Sequence, residues 1–469
     1  MPETATGPSV KHALVTFIVM LAWIAYALFV LQLQDGLHGV LVIALVWVVC
    51  NSLWLGNSYV DIRAAIMNGM ARAMPALYIF LLIGVVIASF ILSGTVATLI
   101  YYGLKFLDPL NFLPVGLILC SLMSLATGTS WGTVGTAGIV LIGVGGAMGM
   151  PLPLVAGMVV SGASFGDKMS PISDTTNLAA VAAETDLYAH IKSMFVTTVP
   201  TYLIVLLMFS WIGWGYRDQA LPASEIQALM QLMEVESQLS VFMLIPMLVL
   251  LVLAVRRVPA EAAMLIASLI ALLFALLFQG ASIHQVIGSI YDGVDVQTGN
   301  DTLDSMLSRG GISNMAWTFT LTMIAVPLGS LLEQAGFLKV LVNSLLAHIQ
   351  RRASLVTSAI ISSFMSNIAL AESYISIIIN GQLFKHKFNE MEVDRCVLSR
   401  SVEEGSTLMT ALVPWTTTGV FYAATLGVPT LDYALWAFFN WINPLMGILF
   451  AWLGIGLFRV QRAPSNDFS

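Results

Sequence analysis

The sequence predicts an all-α polytopic membrane protein, and three features of the chain support this fold class. Of the 469 residues, 58% are hydrophobic and only 10% are charged, whereas soluble globular proteins carry about 25% charged residues. Several apolar runs reach the roughly 20 residues that a helix needs to cross a bilayer. The apolar–polar alternation of membrane β-barrels is absent, so helices are the expected spanning elements.

Composition and motifs also exclude several classes of function. The net charge of −7 argues against a nucleic-acid partner, which would need a basic face. Three widely spaced cysteines indicate neither a disulfide framework nor a zinc site. A Gly-x-Ser-x-Gly match at residues 162–166 lacks the preceding strand of a hydrolase, and no nucleophile–base pair is visible. We therefore expect no enzymatic activity and no cofactor.

Apolar runs and basic residues together predict how the chain crosses the membrane. If the clear runs alternate in direction, most Lys and Arg residues fall on one side, which is the cytoplasmic side by the positive-inside rule. Both termini are then cytoplasmic, and the acidic connections 216–238 and 280–312 lie outside. The clear runs are 13–31, 38–55, 74–93, 190–214, 239–255, 261–279, 315–334 and one within 431–458.

Two irregular apolar regions, 110–186 and 353–428, align when the chain is shifted by about 243 residues. A short amphipathic stretch precedes each region, at 95–108 and at 338–350. The matches pair residues 127–131 with 370–374, 161–164 with 404–407, and 171–175 with 414–418. The shared order of elements at one offset predicts an internal repeat.

Repeat and topology combined predict two inverted halves, an architecture typical of secondary transporters. The first half is 1–215, with scaffold helices 13–93, interfacial helix 95–108, transport elements 110–186 and closing helix 190–214. An extracytoplasmic linker, 216–238, follows. The second half is 239–460, with scaffold helices 239–334, interfacial helix 338–350, transport elements 353–428 and closing helix 431–458. A cytoplasmic tail occupies 461–469.

Each irregular region is predicted to form a re-entrant hairpin followed by a broken helix. In the first half the hairpin limbs are 111–126 and 132–149, and the helix that begins near Pro153 is interrupted at 166–177. Pro171 forces the opening because it lacks an amide hydrogen and clashes with the preceding turn. The freed carbonyls, with hydroxyl groups, can hold a small cation or a carboxylate. The alternative is a short cytoplasmic loop whose charges are solvated.

Ionisable residues in these apolar regions are costly and are the first candidates for function. In the first half they are Asp167, Lys168 and Asp174. In the second half Glu372 stands at the hairpin tip, where a buried carboxylate could bind and release a proton near neutral pH; the alternative is a structural ion pair with Lys168. Of two adjacent acids, Glu404 is preferred over Glu403 because it aligns with Ser161. Glu184, Asp186 and His190 are expected in a solvated turn.

These regions resemble the NhaC family of Na+/H+ antiporters, within the ion-transporter superfamily. The resemblance lies in Gly-Thr-Ser-Trp-Gly-Thr-Val-Gly at 128–135, in the string 161–177 that contains Gly-Asp-Lys-Met-Ser-Pro-Ile-Ser-Asp-Thr-Thr-Asn, and in Pro414-Trp415. It implies a homodimer with a static scaffold and an elevator-type transport domain. Departures from the family pattern lie in the second half, at 371–374, Asn380 and 416–418.

The resemblance and the residues together give a set of candidate positions. Asp174 and Glu372 are the predicted proton carriers, and Na+ is expected at Asp174, Thr129 and Ser173. The candidate ion- or substrate-binding residues are Thr127, Thr129, Ser130, Asp167, Lys168, Ser173, Asp174, Thr175, Thr176, Asn177, Glu372, Ser373, Glu404, Ser406, Thr416, Thr417 and Thr418.

The predicted function is secondary active transport in the bacterial cytoplasmic (inner) membrane, exchanging cytoplasmic Na+ for protons by alternating access. The family also has members that resemble malate–lactate exchangers and amino-acid carriers. The alternative is therefore Na+-coupled transport of a small organic anion or amino acid, with Lys168 or the hairpin hydroxyl groups receiving its carboxylate. Expected partners are Na+, H+, the lipid bilayer, a second copy of the chain and, in the alternative, the organic solute.

Overall fold

The computed structural model describes residues 7–33, 36–106, 109–216, 223–256, 258–297, 304, 307–308 and 310–458. Within these ranges the chain folds into helices and contains no β-strand. Nine of the described helices are long and apolar enough to cross a membrane. The protein is therefore a multi-pass helical membrane protein, as the sequence predicts. The predicted tail, 461–469, and residues 217–222 of the predicted linker lie outside the described residues.

The helices follow one another with short connections. In the first part of the chain they are α1 (Val10–Val30, whose last five residues form a π-helical turn), α2 (Leu37–Trp54), α3 (Tyr59–Leu92), α4 (Thr95–Phe106), α5 (Pro109–Thr127), α6 (Ser130–Ala147), α7 (Leu152–Met169), α8 (Asp174–Ala182) and α9 (Leu187–Gly215). In the second part they are α10 (Ala223–Glu236), α11 (Ile245–Val255), α12 (Ala260–Phe278), α13 (Ile283–Asp292), α14 (Ala316–Gln334), α15 (Phe337–Ala347), α16 (Arg352–Leu370), α17 (Ser373–Glu390), α18 (Arg395–Gly405), α19 (Thr407–Thr410), α20 (Thr417–Leu426), α21 (Thr430–Ala434) and α22 (Phe438–Trp452).

Two of these elements differ from the predicted spans. Helix α3 begins 15 residues before the predicted run 74–93, at Tyr59, because Ser58 and Asp61 form a capping box at its start. The run within 431–458 is divided into α21 and α22 by residues 435–437. Hydrophobicity alone marks the apolar part of a helix, whereas capping side chains decide where the helix starts.

Both predicted hairpins are present, and their tips have the same backbone conformation. Gly128 joins α5 to α6 with φ +70°, and Ala371 joins α16 to α17 with φ +56°. The next residues, Thr129 and Glu372, have φ −146° and −145°. Each side chain caps the second limb by accepting a backbone hydrogen bond, from Gly132 at 3.2 Å for Thr129 and from Tyr374 at 3.4 Å for Glu372.

Both predicted broken helices are present, and the first break is shorter than the predicted 166–177. Helix α7 continues to Met169 and α8 starts at Asp174, so only four residues around Pro171 are non-helical. The Asn177 amide stabilises the break by donating to the carbonyls of Pro171 at 3.0 Å and Ser173 at 2.7 Å. In the second half, α18 ends at Gly405, α19 is a single turn, and α20 begins at Thr417 after Pro414.

Glycines let each hairpin pack closely against its broken helix. A side chain at Gly162 would lie 2.6 Å from the carbonyl oxygen of Leu117, and one at Gly405 would collide with the carbonyl oxygen of Ile360. Nearby, the Ser124 hydroxyl donates to the Ala163 carbonyl at 2.7 Å. The Asn367 amide donates to the Ser406 carbonyl in the same way.

Candidate functional site

A cavity of about 920 Å³ lies where the two hairpin tips meet the first broken helix. Its other walls come from α3, α11, α12 and α14. Ten of the seventeen candidate residues line it: Thr127, Thr129, Ser130, Asp167, Ser173, Asp174, Thr175, Glu372, Ser373 and Thr418. The fold thus brings the two hairpin tips, which lie far apart in sequence, to one cavity.

Asp167 is the most buried carboxylate of this cavity. It lies near the end of α7, its residue is 6% exposed, and its Oδ2 accepts a hydrogen bond from the Ser130 hydroxyl at 2.6 Å. The Ser173 hydroxyl and the Ser130 amide also face this carboxylate. Asp167 therefore joins the first hairpin tip to the break between α7 and α8.

Asp174 has a different environment, since it is exposed on the cavity wall. It is the first residue of α8, where the helix dipole favours a negative charge. The neighbouring hydroxyls of Ser173 and Thr175 lie 3.1 Å from each other. Asp174 can therefore meet an ion that enters the cavity with little structural change.

Glu372 connects the second hairpin tip to the second broken helix. Its Oε2 accepts from the Thr417 hydroxyl at 2.9 Å, and the Thr417 amide donates to the Ala371 carbonyl at 3.0 Å. The alternative pairing with Lys168 is not present, because Lys168 lies against Glu404 instead. The Glu372 carboxylate is therefore free of a basic partner among the described contacts and lines the cavity.

An aromatic cluster joins the first hairpin tip to the second broken helix. The Trp131 ring stacks on Phe421 with 4.5 Å between centroids, and Phe80 of the α3 wall stacks on both rings. The Trp131 indole also donates to the Thr418 hydroxyl at 3.4 Å. This cluster fixes one side of the cavity through packing that spans both halves of the chain.

The remaining seven candidates are absent from the cavity lining and make contacts elsewhere. Ser406 shares a hydrogen bond of 2.8 Å with Ser376, and Thr416 caps α20 by accepting from the Gly419 amide at 3.1 Å. The Lys168 ammonium lies 4.0 Å from the Glu404 carboxylate, and both side chains are fully buried. These seven are Lys168, Thr176, Asn177, Glu404, Ser406, Thr416 and Thr417.

Sequence reasoning missed the groups that surround Lys168 and Glu404. His190 was expected in a solvated turn and is fully buried, with Nε2 2.7 Å from Glu403 Oε2. Glu403 and Arg400 are also fully buried. Glu184 and Asp186 are exposed as expected. Four residues separate Asp186 from His190, so one helical turn carries the chain from surface to interior; only the fold reveals that step.

The charged residues of the cavity are mostly acidic. Five carboxylates line it, and the one basic residue in its lining, Arg72, is paired with Glu333 at 2.8 Å. The five are Asp167, Asp174, Glu261, Glu333 and Glu372. Such a lining attracts cations and disfavours anions.

Comparison with known proteins agrees with this architecture. The model of the Na+/H+ antiporter family matches residues 6–176 and 162–455. The chain is 36% identical over 455 residues to the Na+/H+ antiporter NhaC of Alkalihalophilus pseudofirmus, covering 97% of each chain. It is 36% identical over 400 residues to the malate-2H+/Na+-lactate antiporter of Bacillus subtilis, covering 85% of this chain and 86% of the relative.

A more distant relative carries a different solute in its name. The chain is 30% identical over 469 residues to the arginine/ornithine antiporter ArcD of Halobacterium salinarum, covering 98% of this chain and 96% of the relative. All three relatives are antiporters by name and are similar along nearly their whole length. The resemblance seen in the sequence is thereby confirmed, and the chain belongs to the Na+/H+ antiporter family.

Proposed function

We propose that the protein exchanges cytoplasmic Na+ for protons across the bacterial inner membrane by alternating access. The observation that carries this proposal is the cavity where both hairpin tips meet five carboxylates and one paired arginine. Carboxylates with hydroxyl groups can bind either a dehydrated Na+ or protons, so the two ions compete for one site. Competition of this kind is sufficient for exchange.

Within the cavity, Na+ is bound by the carboxylates of Asp167 and Asp174 with the hydroxyls of Thr129 and Ser173. Their grouping around the first break supports this assignment, because the break supplies a helix N-terminus and free backbone groups beside the carboxylates. Protons are carried by Asp174 and Glu372. Glu372 suits this role because hydroxyl and amide donors, and no basic side chain, stabilise its carboxylate among the described contacts.

The moving part of the protein is an elevator-type domain built from two inverted repeats, and the protein works as a homodimer with cytoplasmic termini. The repeat is supported by contacts at one offset of 243: Ser124 with Ala163 corresponds to Asn367 with Ser406. Gly162 against Leu117 likewise corresponds to Gly405 against Ile360. Asp174 and Thr417, the first residues of α8 and α20, have the same spacing.

Liposomes that contain the purified protein and a pH-sensitive dye test this proposal. An inward Na+ gradient, with no organic solute present, should drive protons out of the liposomes, and a matched choline gradient should not. Protein-free liposomes and the Asp167→Asn variant serve as controls. Silence under the Na+ gradient, in liposomes that hold folded protein, would contradict Na+/H+ antiport.

A second candidate is Na+-coupled transport of a small organic solute, and the size of the cavity favours it. About 920 Å³ is the volume of a small-molecule pocket and far exceeds one Na+ ion. An organic anion would find Arg72 as the sole basic residue in this lining, so the charge favours an amino acid with a cationic side chain. Adding malate, lactate, arginine or ornithine to silent liposomes, and seeing flux start, would establish this candidate.

A further inference from the structure

Behind the cavity, five ionisable side chains form a fully buried cluster. His190 comes from α9, Arg400, Glu403 and Glu404 come from α18, and Lys168 comes from α7; each is 0% exposed. With His190 neutral, two positive and two negative charges balance. Because isolated charges are expensive to bury, a neutral cluster is the stable resting arrangement, and one added proton gives it a net positive charge.

The hydrogen bonds of His190 suit it to bind a proton reversibly. Its Nε2 lies 2.7 Å from Glu403 Oε2, and its Nδ1 lies 2.7 Å from the Ser399 hydroxyl. That hydroxyl also lies 3.0 Å from the Cys396 carbonyl. Ser399 can therefore donate to a neutral imidazole, or turn its hydrogen to Cys396 and accept from an imidazolium. Both protonation states are satisfied without movement of any heavy atom.

Histidine is also the side chain that ordinarily changes charge between about pH 5 and pH 8. The charged groups around it are balanced: Glu403 contacts the imidazole directly, and Arg400 reaches back to α9 by donating to the Ser193 carbonyl at 3.2 Å. Lys168 and Glu404 face each other on the far side of the cluster. The direct contact with a carboxylate stabilises the imidazolium form.

One hydroxyl connects this cluster to the cavity. Thr176 Oγ1 lies 3.3 Å from Glu403 Oε1 and 3.4 Å from the Asp167 carbonyl oxygen. The acid that holds the His190 proton and the residue that lines the ion cavity therefore contact the same side chain. Two cations bound on either side of it, in a buried environment, repel each other.

We propose that His190, held against Glu403, is a proton-binding site separate from the cavity, and that Na+ in the cavity expels its proton. The inference rests on the proposed Na+/H+ exchange and adds a proton site that is not a Na+ ligand. Loading is simple: a proton from water joins Nε2 or Nδ1, the imidazolium donates to Glu403 and Ser399, and Na+ binding beside Asp167 returns the proton to water.

Proton release by the full-length protein in weakly buffered detergent solution tests this directly. Adding NaCl to the wild type should acidify the solution, and adding choline chloride should not. His190→Gln keeps a donor toward Glu403 and cannot take up the proton, so it should lose release in the pH range of histidine while still binding Na+, measured by calorimetry. The exposed His284, on α13, provides a matched control: His284→Gln should behave as the wild type.

Three outcomes separate the two proposals. Equal release per bound Na+ in His190→Gln and wild type, with the same pH dependence, would overturn this inference and leave Na+/H+ exchange standing. Absence of Na+-driven proton flux in wild-type liposomes would overturn the exchange itself and the inference with it. If His190→Gln does not fold, Ser399→Ala removes a single hydroxyl and should shift the pH midpoint of release; an unshifted midpoint would overturn the inference.

Discussion

Replacing Asp167 by asparagine tests whether burial determines which carboxylate holds Na+. Asn keeps the shape of the side chain and can still accept from the Ser130 hydroxyl, which now lies 2.6 Å from Oδ2. The substitution therefore removes the charge and leaves the contact between hairpin tip and broken helix. Asp174→Asn is the matched variant, because Asp174 lines the same cavity in an exposed position.

The two environments give different magnitudes. Two unit charges 4 Å apart interact by about 4 kcal/mol at the effective dielectric constant of a protein, and by about 1 kcal/mol in water. Since about 1.4 kcal/mol is a factor of ten in affinity, the buried Asp167 is worth up to about 700-fold in Na+ affinity and the exposed Asp174 about fivefold. Asp167→Asn should thus be far more damaging than Asp174→Asn.

The assay is the dependence of proton flux on Na+ concentration in liposomes, for wild type and both variants. The apparent Na+ affinity should be nearly lost in Asp167→Asn and modestly reduced in Asp174→Asn, while size-exclusion profiles of the purified proteins stay the same. Equal effects, or a larger effect in Asp174→Asn, would refute the argument from burial and return the leading role to the residue favoured by sequence.

The other predictions concern protonation, packing and a surface contact. Glu372→Gln should flatten the pH dependence of Na+-driven flux, because the carboxylate at the second tip can no longer exchange a proton; an unchanged pH profile would assign the proton elsewhere. Gly162→Ala should destabilise the protein by about 1–3 kcal/mol, the usual cost of overpacking, and lower the midpoint of thermal unfolding, whereas Gly39→Ala, which has open space around it, should not. Hydrogen bonds from Lys385 and Arg395 hold the pKa of Glu184 below its ordinary value, so the contact stabilises the protein at neutral pH and is lost as the pH falls through the lowered pKa. The difference in thermal stability between wild type and Glu184→Gln should accordingly close in acid, and a difference that persists there would contradict this cause.

Sequence reasoning identified the hairpin tips and the breaks because both follow from local chemistry. Pro171 and Pro414 must interrupt a helix wherever they lie within one. The match of residue 128 with 371, made from weak sequence similarity, coincides with two left-handed backbone positions in the structure. Local signals of this kind survive in a single sequence.

The buried cluster could not be found in the same way, because it depends on packing between distant helices. His190 follows exposed Asp186 by four residues, and nothing local distinguishes an inward-facing turn from a solvated one. Likewise, the choice of Glu404 over Glu403 assumed one interfacial charge, whereas both carboxylates are fully buried and contact different partners. Charge balance across three helices becomes visible only when the helices are assembled.

Accumulation of radioactive Na+ by acid-inside liposomes is the most direct test of the central claim. With no organic solute present, outward movement of protons should drive Na+ inward above its outside concentration, and an ionophore that dissipates the pH gradient should release it. Accumulation that survives loss of the pH gradient, or that occurs only after an organic solute is added, would contradict Na+/H+ exchange as the function of this protein.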